Sequence, residues 1–467
     1  MAAREEQMAA DPRQSLGPEQ AGEPAHGLAI GLGRVMARAG WQGAVTGLMR
    51  LSGGANMQSW RFEIGTEAFV LRRAPSAEWV VGRHLDMAQE AAVIRCARAG
   101  GVIAPEVVAE LMPEDDLGLG FIMRCAPGSP DPDNALSSPP ELLDQIAGAM
   151  ARVHALDPGD LSFLPVLEPA AGVEALAAQF TEAGGDRPPI ALGLAWLRAN
   201  LPPPAPRVVL HGDLRIGNIM VESGHLSAVL DWELAHLGDA HEDLAFGCMT
   251  VWRFGRLDKR GFGLGQIEDL ARAYQAAGGT AFDPARFRFW LIYRTVWWAL
   301  SALSMGKGWR SGADRSLERV VVARRAAEQD LDLLLLLESD APEAERARSL
   351  PPSPAPPAAS EGEPSAAEIL TAVSEWLAAT VKPHMAGRER FELAVAQNAL
   401  GIVRRELAGR PSPHDKALSE ALLDGRATLA QPGLLAELRR RVLDTLAADM
   451  PKYPALAEAR RIWERTE

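Results

Sequence analysis

Residues 207–233, RVVLHGDLRIGNIMVESGHLSAVLDWE, constrain this chain more than any other segment. The runs VVL, NIMVE and LSAVLD are too short for helices and rich in β-forming residues. Polar loops separate them, whereas the flanking sequence reads as helix. Short strands around a turn bring the polar residues at their ends together. Those residues are Asp213, then Asn218 five positions on, then Asp231 thirteen positions further. An isolated Asp or Asn in such a place would merely cap a turn. His, Asp and Asn at fixed spacing, then Asp after a second apolar strand, ask for more than capping. Phosphoryl transfer needs a carboxylate to orient or deprotonate a hydroxyl, and oxygen ligands for a Mg²⁺ that bridges nucleotide phosphates. The interval from Asp213 to Asn218 is that of the HRDxxxxN catalytic loop. Asp213 is therefore the expected base, and Asn218 and Asp231 the expected metal ligands.

The rest of the chain supplies a frame. A helix is expected near Leu28–Arg38. Strands follow at 46–52, 59–64 and 68–73, with the glycine turn SGGANMQ between the first two. A helix over roughly 85–99 comes next, with Met87, Ala91, Ile94 and Ala97 at helical spacing, then strands at 106–111 and 118–126 and a loop, APGSPDPDNALSSPP. Helices are expected at 141–155, 172–182, 189–200, 240–252, 265–277, 285–304 and 313–338. The Pro/Ala/Ser/Glu stretch 339–364 cannot bury a core and reads as a linker. A small all-helical bundle is expected over 365–467. Its first helix carries Ile369, Leu370, Val373, Trp376, Leu377 and Thr380 on one stripe; its second carries Phe391, Val395, Asn398, Ala399, Ile402 and Val403.

Several classes are disfavoured. With 48 Lys and Arg against 61 Asp and Glu, the net charge is −13, which suits no nucleic-acid partner. Cys96, Cys125 and Cys248 lie too far apart for a disulfide framework or a thiolate zinc site. Residues 1–27 are polar, carry five acidic residues and have no apolar core, so they are expected to be disordered and not a targeting signal. The most apolar run, residues 289–305, is interrupted by Arg294 and reads as a buried helix, not a membrane span. A cytoplasmic protein is expected.

HGDLRIGNIM with VLDWE resembles the aminoglycoside phosphotransferase family over about residues 28–338. FVLRRAP and LGDAHEDLAF resemble, within it, the kinase-like domains fused to some acyl-CoA dehydrogenases. The resemblance implies an α+β, two-lobed protein-kinase-like fold. A small antiparallel-sheet N-lobe (28–126) would precede a mostly helical C-lobe (127–338), with the all-α domain after them. It implies ATP and Mg²⁺ as cofactors and a small-molecule alcohol as substrate. LSGGANMQSW would be the nucleotide-covering loop, with Gly53 and Gly54 letting the backbone approach phosphates. Arg72 would stand where this fold usually has a phosphate-binding lysine, with Glu90 as its partner or else on a solvated helix face. Met123, Arg124 and Cys125 would be the hinge against adenine. His211 and Asp243 would brace the catalytic loop, and Asp239 would N-cap the helix after it, with Glu242 three residues on. The C-terminal domain also resembles an uncharacterised helical domain found near such enzymes and would be a lid, a dimerisation element or a partner-docking module.

Other readings stay open. Arg215 contacts the transferred phosphate or an acidic substrate, or sits in solvent. His154 reads as a satisfied core histidine. Trp252, Phe254, Trp290, Tyr293, Trp297 and Trp298 are mostly core, yet an aromatic wall suits a hydroxyacyl-CoA or related lipid alcohol better than a polycationic aminoglycoside. No lysine precedes Lys259, so nothing nearby replaces Arg72, and arginine is not interchangeable with lysine. That departure leaves two alternatives to the lipid-alcohol kinase: a nucleotide-binding pseudokinase scaffold that recruits a partner through the C-terminal domain, and an aminoglycoside kinase.

Overall fold

The computed structural model describes residues 23–51, 57–76, 80, 82–353, 364–409 and 413–464. Five strands form one antiparallel sheet: β1 (Val45–Arg50), β2 (Gln58–Ile64), β3 (Glu67–Arg73), β4 (Val107–Glu110) and β5 (Gly120–Arg124), in the order β1-β2-β3-β5-β4. The two-residue alternation of β3 sends Phe69 and Leu71 into an apolar cluster with Phe62 and Ile122. Leu28, Leu32, Val35 and Met36 of the helix Glu23–Arg38 complete that cluster. Each fully buried side chain of this size contributes ~2 kcal/mol. The same alternation turns Arg72 to the other face of the sheet. The helix Met87–Ala99 starts at a reciprocal cap, in which Asp86 Oδ1 accepts from Gln89 N at 2.7 Å and Gln89 Oε1 from Asp86 N at 3.0 Å.

Residues 207–238 fold as expected around loops, with one addition. β7 (Ile219–Glu222) and β8 (His225–Val229) form a hairpin. β6 (Val208–Leu210) pairs with β9 (His236–Gly238), a strand that three residues of sequence could not announce. Other expectations are corrected in detail. The first helix begins at Glu23. The 126–140 loop holds a short helix, Pro132–Leu136, capped by Asp131. The helix expected to reach 252 ends at Phe246, and 313–338 is two helices, Leu317–Ala323 and Ala326–Leu337. The helices Glu141–His154, Pro169–Glu182, Pro188–Ala199, Ile267–Ala276 and Pro284–Ser311 lie close to where periodicity puts them.

The chain divides into two compact units. One runs to Leu167 and adds Ala205–Cys248 and Lys259–Phe282; the other comprises Glu168–Pro204, Met249–Asp258 and Asp283–Glu467. Contacts therefore do not divide at 339–364. Within the second unit the helix Ala326–Leu337 packs against Leu434–Asp449, and Pro188–Ala199 against Lys416–Leu423. Glu345, inside the stretch read as linker, is buried and accepts from Gly433 N at 2.7 Å. The two stripes expected after 365 are largely uncovered: Ile369, Val373, Trp376, Phe391 and Val403 are exposed, while Ile402 is buried. Among the described residues no helix is long and apolar enough to cross a membrane.

Candidate active site

All the polar residues singled out in 211–243 fall in the first unit, together with Arg72 and Glu90. The turn after β6 is built on Gly212, whose φ is +80°; a Cβ there would lie 2.2 Å from the Leu234 carbonyl oxygen. Asp243 holds this turn from beneath. Its Oδ2 accepts from His211 N at 2.7 Å and its Oδ1 from Gly212 N at 2.8 Å. Burial works against the Asp243 charge, but the bond and charge of His154, and the His211 amide, outweigh it and hold the carboxyl well below the usual range. His154 is indeed a core histidine, and it backs this carboxylate. Its Nε2 faces Asp243 Oδ2 at 3.2 Å and its Nδ1 faces the Tyr274 hydroxyl at 2.7 Å.

The His211 ring is fully buried 4.5 Å from that of Trp232. Asp213 N donates to its Nδ1 at 3.2 Å, which leaves Nε2–H to donate to Leu230 O at 3.0 Å. Burial lowers its pKa, as a neutral ring in that tautomer requires. His211 thus ties the Asp213 turn to the end of β8. Leu230 N donates to Asn218 O at 2.8 Å, so the hairpin brings Asn218 beside the start of the Asp231 loop. Asp231 itself has φ +68°, a left-handed conformation that Asp tolerates better than most residues.

Asp213 Oδ2 accepts from Asn218 Nδ2 at 2.7 Å, and its Oδ1 from Arg215 Nε at 3.1 Å. Asn218 Nδ2 also donates to Asp213 O at 2.8 Å. Both Asn218 bonds use the amide nitrogen, which turns the amide oxygen to other duty. Burial raises the Asp213 pKa to about 6; Arg215 opposes the shift and Asp231 adds to it. Of the readings open for Arg215, solvent is the one this geometry discards.

Arg72 reaches across from β3. Its Nε lies 2.9 Å from Glu90 Oε1, and its Nη2 lies 2.6 Å from Asp231 Oδ1 and 2.8 Å from Glu233 Oε2. Burial disfavours the Arg72 charge, but three carboxylates overcome it and push the pKa up. Glu90 is 2% exposed, so it does not lie on a solvated face. Its position with Met87, Ile94 and Ala97 on the buried stripe was the available signal. Burial raises its pKa to about 7 against the pull of Arg72.

Sequence reasoning missed Glu233 and Arg83, whose Nη2 lies 2.7 Å from Glu233 Oε2. It also missed His84, whose Nε2 bonds Ala235 O at 3.1 Å. The hinge expectation needs correction. Arg124 N donates to Glu106 O at 2.8 Å and Cys125 N to Ala68 O at 2.9 Å, so neither amide is available to a base. The Arg124 side chain pairs with Glu67 and Glu106 and lies over the Trp41 ring. Gly53 and Gly54 lie outside the described residues. Asp239 caps as expected, its Oδ1 accepting from His241 N at 3.0 Å, while Glu242 Oε2 faces His236 Nε2 at 3.2 Å. Of the aromatic set, Trp252, Trp290 and Tyr293 are buried in the second unit, while Phe254 is exposed.

A divalent cation suits this site. Asn218 and Asp231 offer the hard oxygens Mg²⁺ prefers, and phosphates complete its shell in such centres.

Residues 47–290, more than half the chain, match the Phosphotransferase enzyme family (APH), and residues 383–453 match a domain of unknown function, DUF6285. The mouse (Mus musculus) protein "Acyl-CoA dehydrogenase family member 10" is 25% identical over 256 residues, covering 49% of this chain and 23% of that protein. The Arabidopsis thaliana "Probable acyl-CoA dehydrogenase IBR3" is 29% identical over 115 residues, 21% of this chain and 14% of that one. The chain thus spans less than a quarter of the length of either. A solved Ralstonia eutropha structure, assigned as an aminoglycoside phosphotransferase, superposes with TM-score 0.53 at 20% identity, over 66% of this chain and 98% of the other. That likeness establishes the two-lobed, kinase-like fold.

Proposed function

The chain belongs to the phosphotransferase enzyme family, and from that premise we propose that it moves the terminal phosphoryl group of ATP to a hydroxyl of a small molecule. The observation that carries this reading is the convergence of Asp213, Asn218 and Asp231 through the β7–β8 hairpin and the His211 bridge. In this reading Asp213 accepts a hydrogen bond from the acceptor hydroxyl and takes its proton as the new P–O bond forms and the γ-phosphorus bond to the bridging oxygen breaks, with ADP leaving. Arg215, on the same carboxylate, faces charge that develops on the transferred group. Asn218 and Asp231 would hold magnesium, which would neutralise charge on the phosphates. Asp243, with His154 behind it, fixes the turn that aims Asp213. Arg72 binds phosphate oxygens, with Glu90 aligning it.

For the acceptor we propose a hydroxyacyl-CoA or related lipid alcohol. The support is that the curated relatives are named as acyl-CoA dehydrogenases. One observation favours a second reading: arginine stands in the lysine position, so the chain could be a nucleotide-binding scaffold with little turnover.

The test is single-turnover ATP consumption with a panel of hydroxyacyl-CoAs and aminoglycosides, beside a thermal-shift titration with ATP and Mg²⁺. Turnover with a hydroxyacyl-CoA is expected, and Asp213→Ala should cost several orders of magnitude in rate, on the order of 10³. If Asp213→Ala consumed ATP as fast as the parent, the assigned base would be wrong. Nucleotide binding without turnover on any alcohol would favour the scaffold.

A further inference from the structure

Two guanidinium groups meet on one oxygen atom. Arg72 Nη2 and Arg83 Nη2 lie 2.8 and 2.7 Å from the same atom, Glu233 Oε2. Arg72 comes from β3. Arg83 comes from the segment before the helix Met87–Ala99, and its Nη1 has the soft Met57 thioether 3.7 Å away. The neighbouring His84 holds this segment to the 233–236 loop through Ala235 O. A carboxylate oxygen between two guanidinium forks is the arrangement in which arginines grip a phosphate oxygen. All three side chains keep some exposure, 12% for Arg72, 16% for Arg83 and 11% for Glu233, so an anion can reach them.

Charge tells what happens when a metal–nucleotide arrives. Asp231 now shares its Oδ1 with Arg72. A divalent cation on Asp231 repels the Arg72 guanidinium and leaves it in need of another anion. Glu233 sits two residues from Asp231, and Arg72 touches both carboxylates. With no lysine before Lys259, arginines must do this work in the sheet-bearing part of the chain.

We propose that Arg83 is a second cation for the β- and γ-phosphates, paired with Arg72, and that Glu233 occupies their common anion position until the polyphosphate displaces it. The proposal rests on the kinase reading above and deepens it. Two arginines on separate segments would then supply what one lysine supplies elsewhere. The Glu233 carboxylate would act as an internal competitor of the nucleotide.

The experiment is calorimetric titration of the full chain with Mg-ATP, Mg-ADP and AMP. It compares the parent with Arg83→Ala, Arg83→Lys and Glu233→Gln, each first checked for an unchanged far-UV spectrum. Arg83→Ala is expected to weaken ATP and ADP about tenfold or more and to leave AMP unchanged. Arg83→Lys should recover part of the loss. Glu233→Gln should tighten ATP several-fold, because it removes the competing charge. Equal ATP affinity in parent and Arg83→Ala overturns the proposal, as does an equal loss for ATP and AMP, or weaker ATP binding in Glu233→Gln. A parent that binds no nucleotide sinks the kinase reading itself, a result distinct from either.

Discussion

At the scale of single residues, the proposed base Asp213 would set the pH behaviour. Burial raises its pKa to about 6, so in that role the group would be protonated, and unable to accept a proton, below that pH. kcat/KM should therefore fall towards about tenfold per unit on the acid limb, with a midpoint at or below about 6, because a cation on Asp231 and Asn218 favours the Asp213 carboxylate. The stability effect runs the other way. A carboxyl whose pKa is higher folded than unfolded favours folding when protonated, so its contribution declines as pH rises from about 4 to about 6. Asp213→Asn should lose activity yet melt no lower than the parent at pH 7.5, as differential scanning fluorimetry can check. A melting point several degrees lower would mean that Asp213 serves the fold rather than the chemistry. That Asp213, Asn218 and Asp231 lie together was legible in their type and spacing. Arg83 and Glu233 were not, because no spacing links residue 83 to residue 233.

At the scale of elements, the helix Ala326–Leu337 breaks the usual rule for charge. Glu328, Gln329, Asp330 and Asp332 are all buried in its first two turns. Partners explain most of them: Arg325 lies 3.0 Å from Glu328, Arg187 pairs with Asp330, and the Tyr453 hydroxyl donates to Asp332 at 2.7 Å. Burial still raises the Asp332 pKa to about 7, against the pull of Tyr453. Folding then favours protonated Asp332, so this unit loses stability as pH rises from about 4 through 7. Tyr453→Phe should cost about 1–3 kcal/mol, more at pH 8 than at pH 6, by denaturant titration at both. An equal loss at the two values would contradict that role for the pair. Helix periodicity located this element but said nothing of the groups packed around it. A stripe marks a face, whereas only packing shows what covers it. Ile369, Val373 and Trp376 make the converse case, apolar at helical spacing and still exposed.

At the scale of the molecule, contacts group the chain differently from its composition. The Pro/Ala/Ser/Glu stretch suggests a boundary, yet helices on both sides of it share one compact unit. Arg439 of the helix Leu434–Asp449 pairs with Glu338 at 2.7 Å, and Arg324 pairs with Asp449 at 3.1 Å. Within the same unit Arg187 and Asp330 join segments 143 residues apart. Arg187→Met would leave Asp330 buried without its counter-charge and should cost ~3–5 kcal/mol. The double change Arg187→Met with Asp330→Leu should recover most of it, because the cost lies in the orphaned charge. Failure of the double variant to recover would show that the pair's shape matters more than its charge.

The sequence alone determined the family and most of the elements that carry the candidate site. Residue type and spacing match what phosphate, magnesium and a hydroxyl would require, and strand and helix periods follow from backbone geometry. Tertiary structure alone decided that Arg72 bridges three carboxylates, that His154 stands behind Asp243, that the hinge amides at 124 and 125 are consumed by the sheet, and that the C-terminal helices join those before residue 339. Each depends on groups far apart along the chain, and the physics that pairs them acts through space, where a linear pattern leaves no mark.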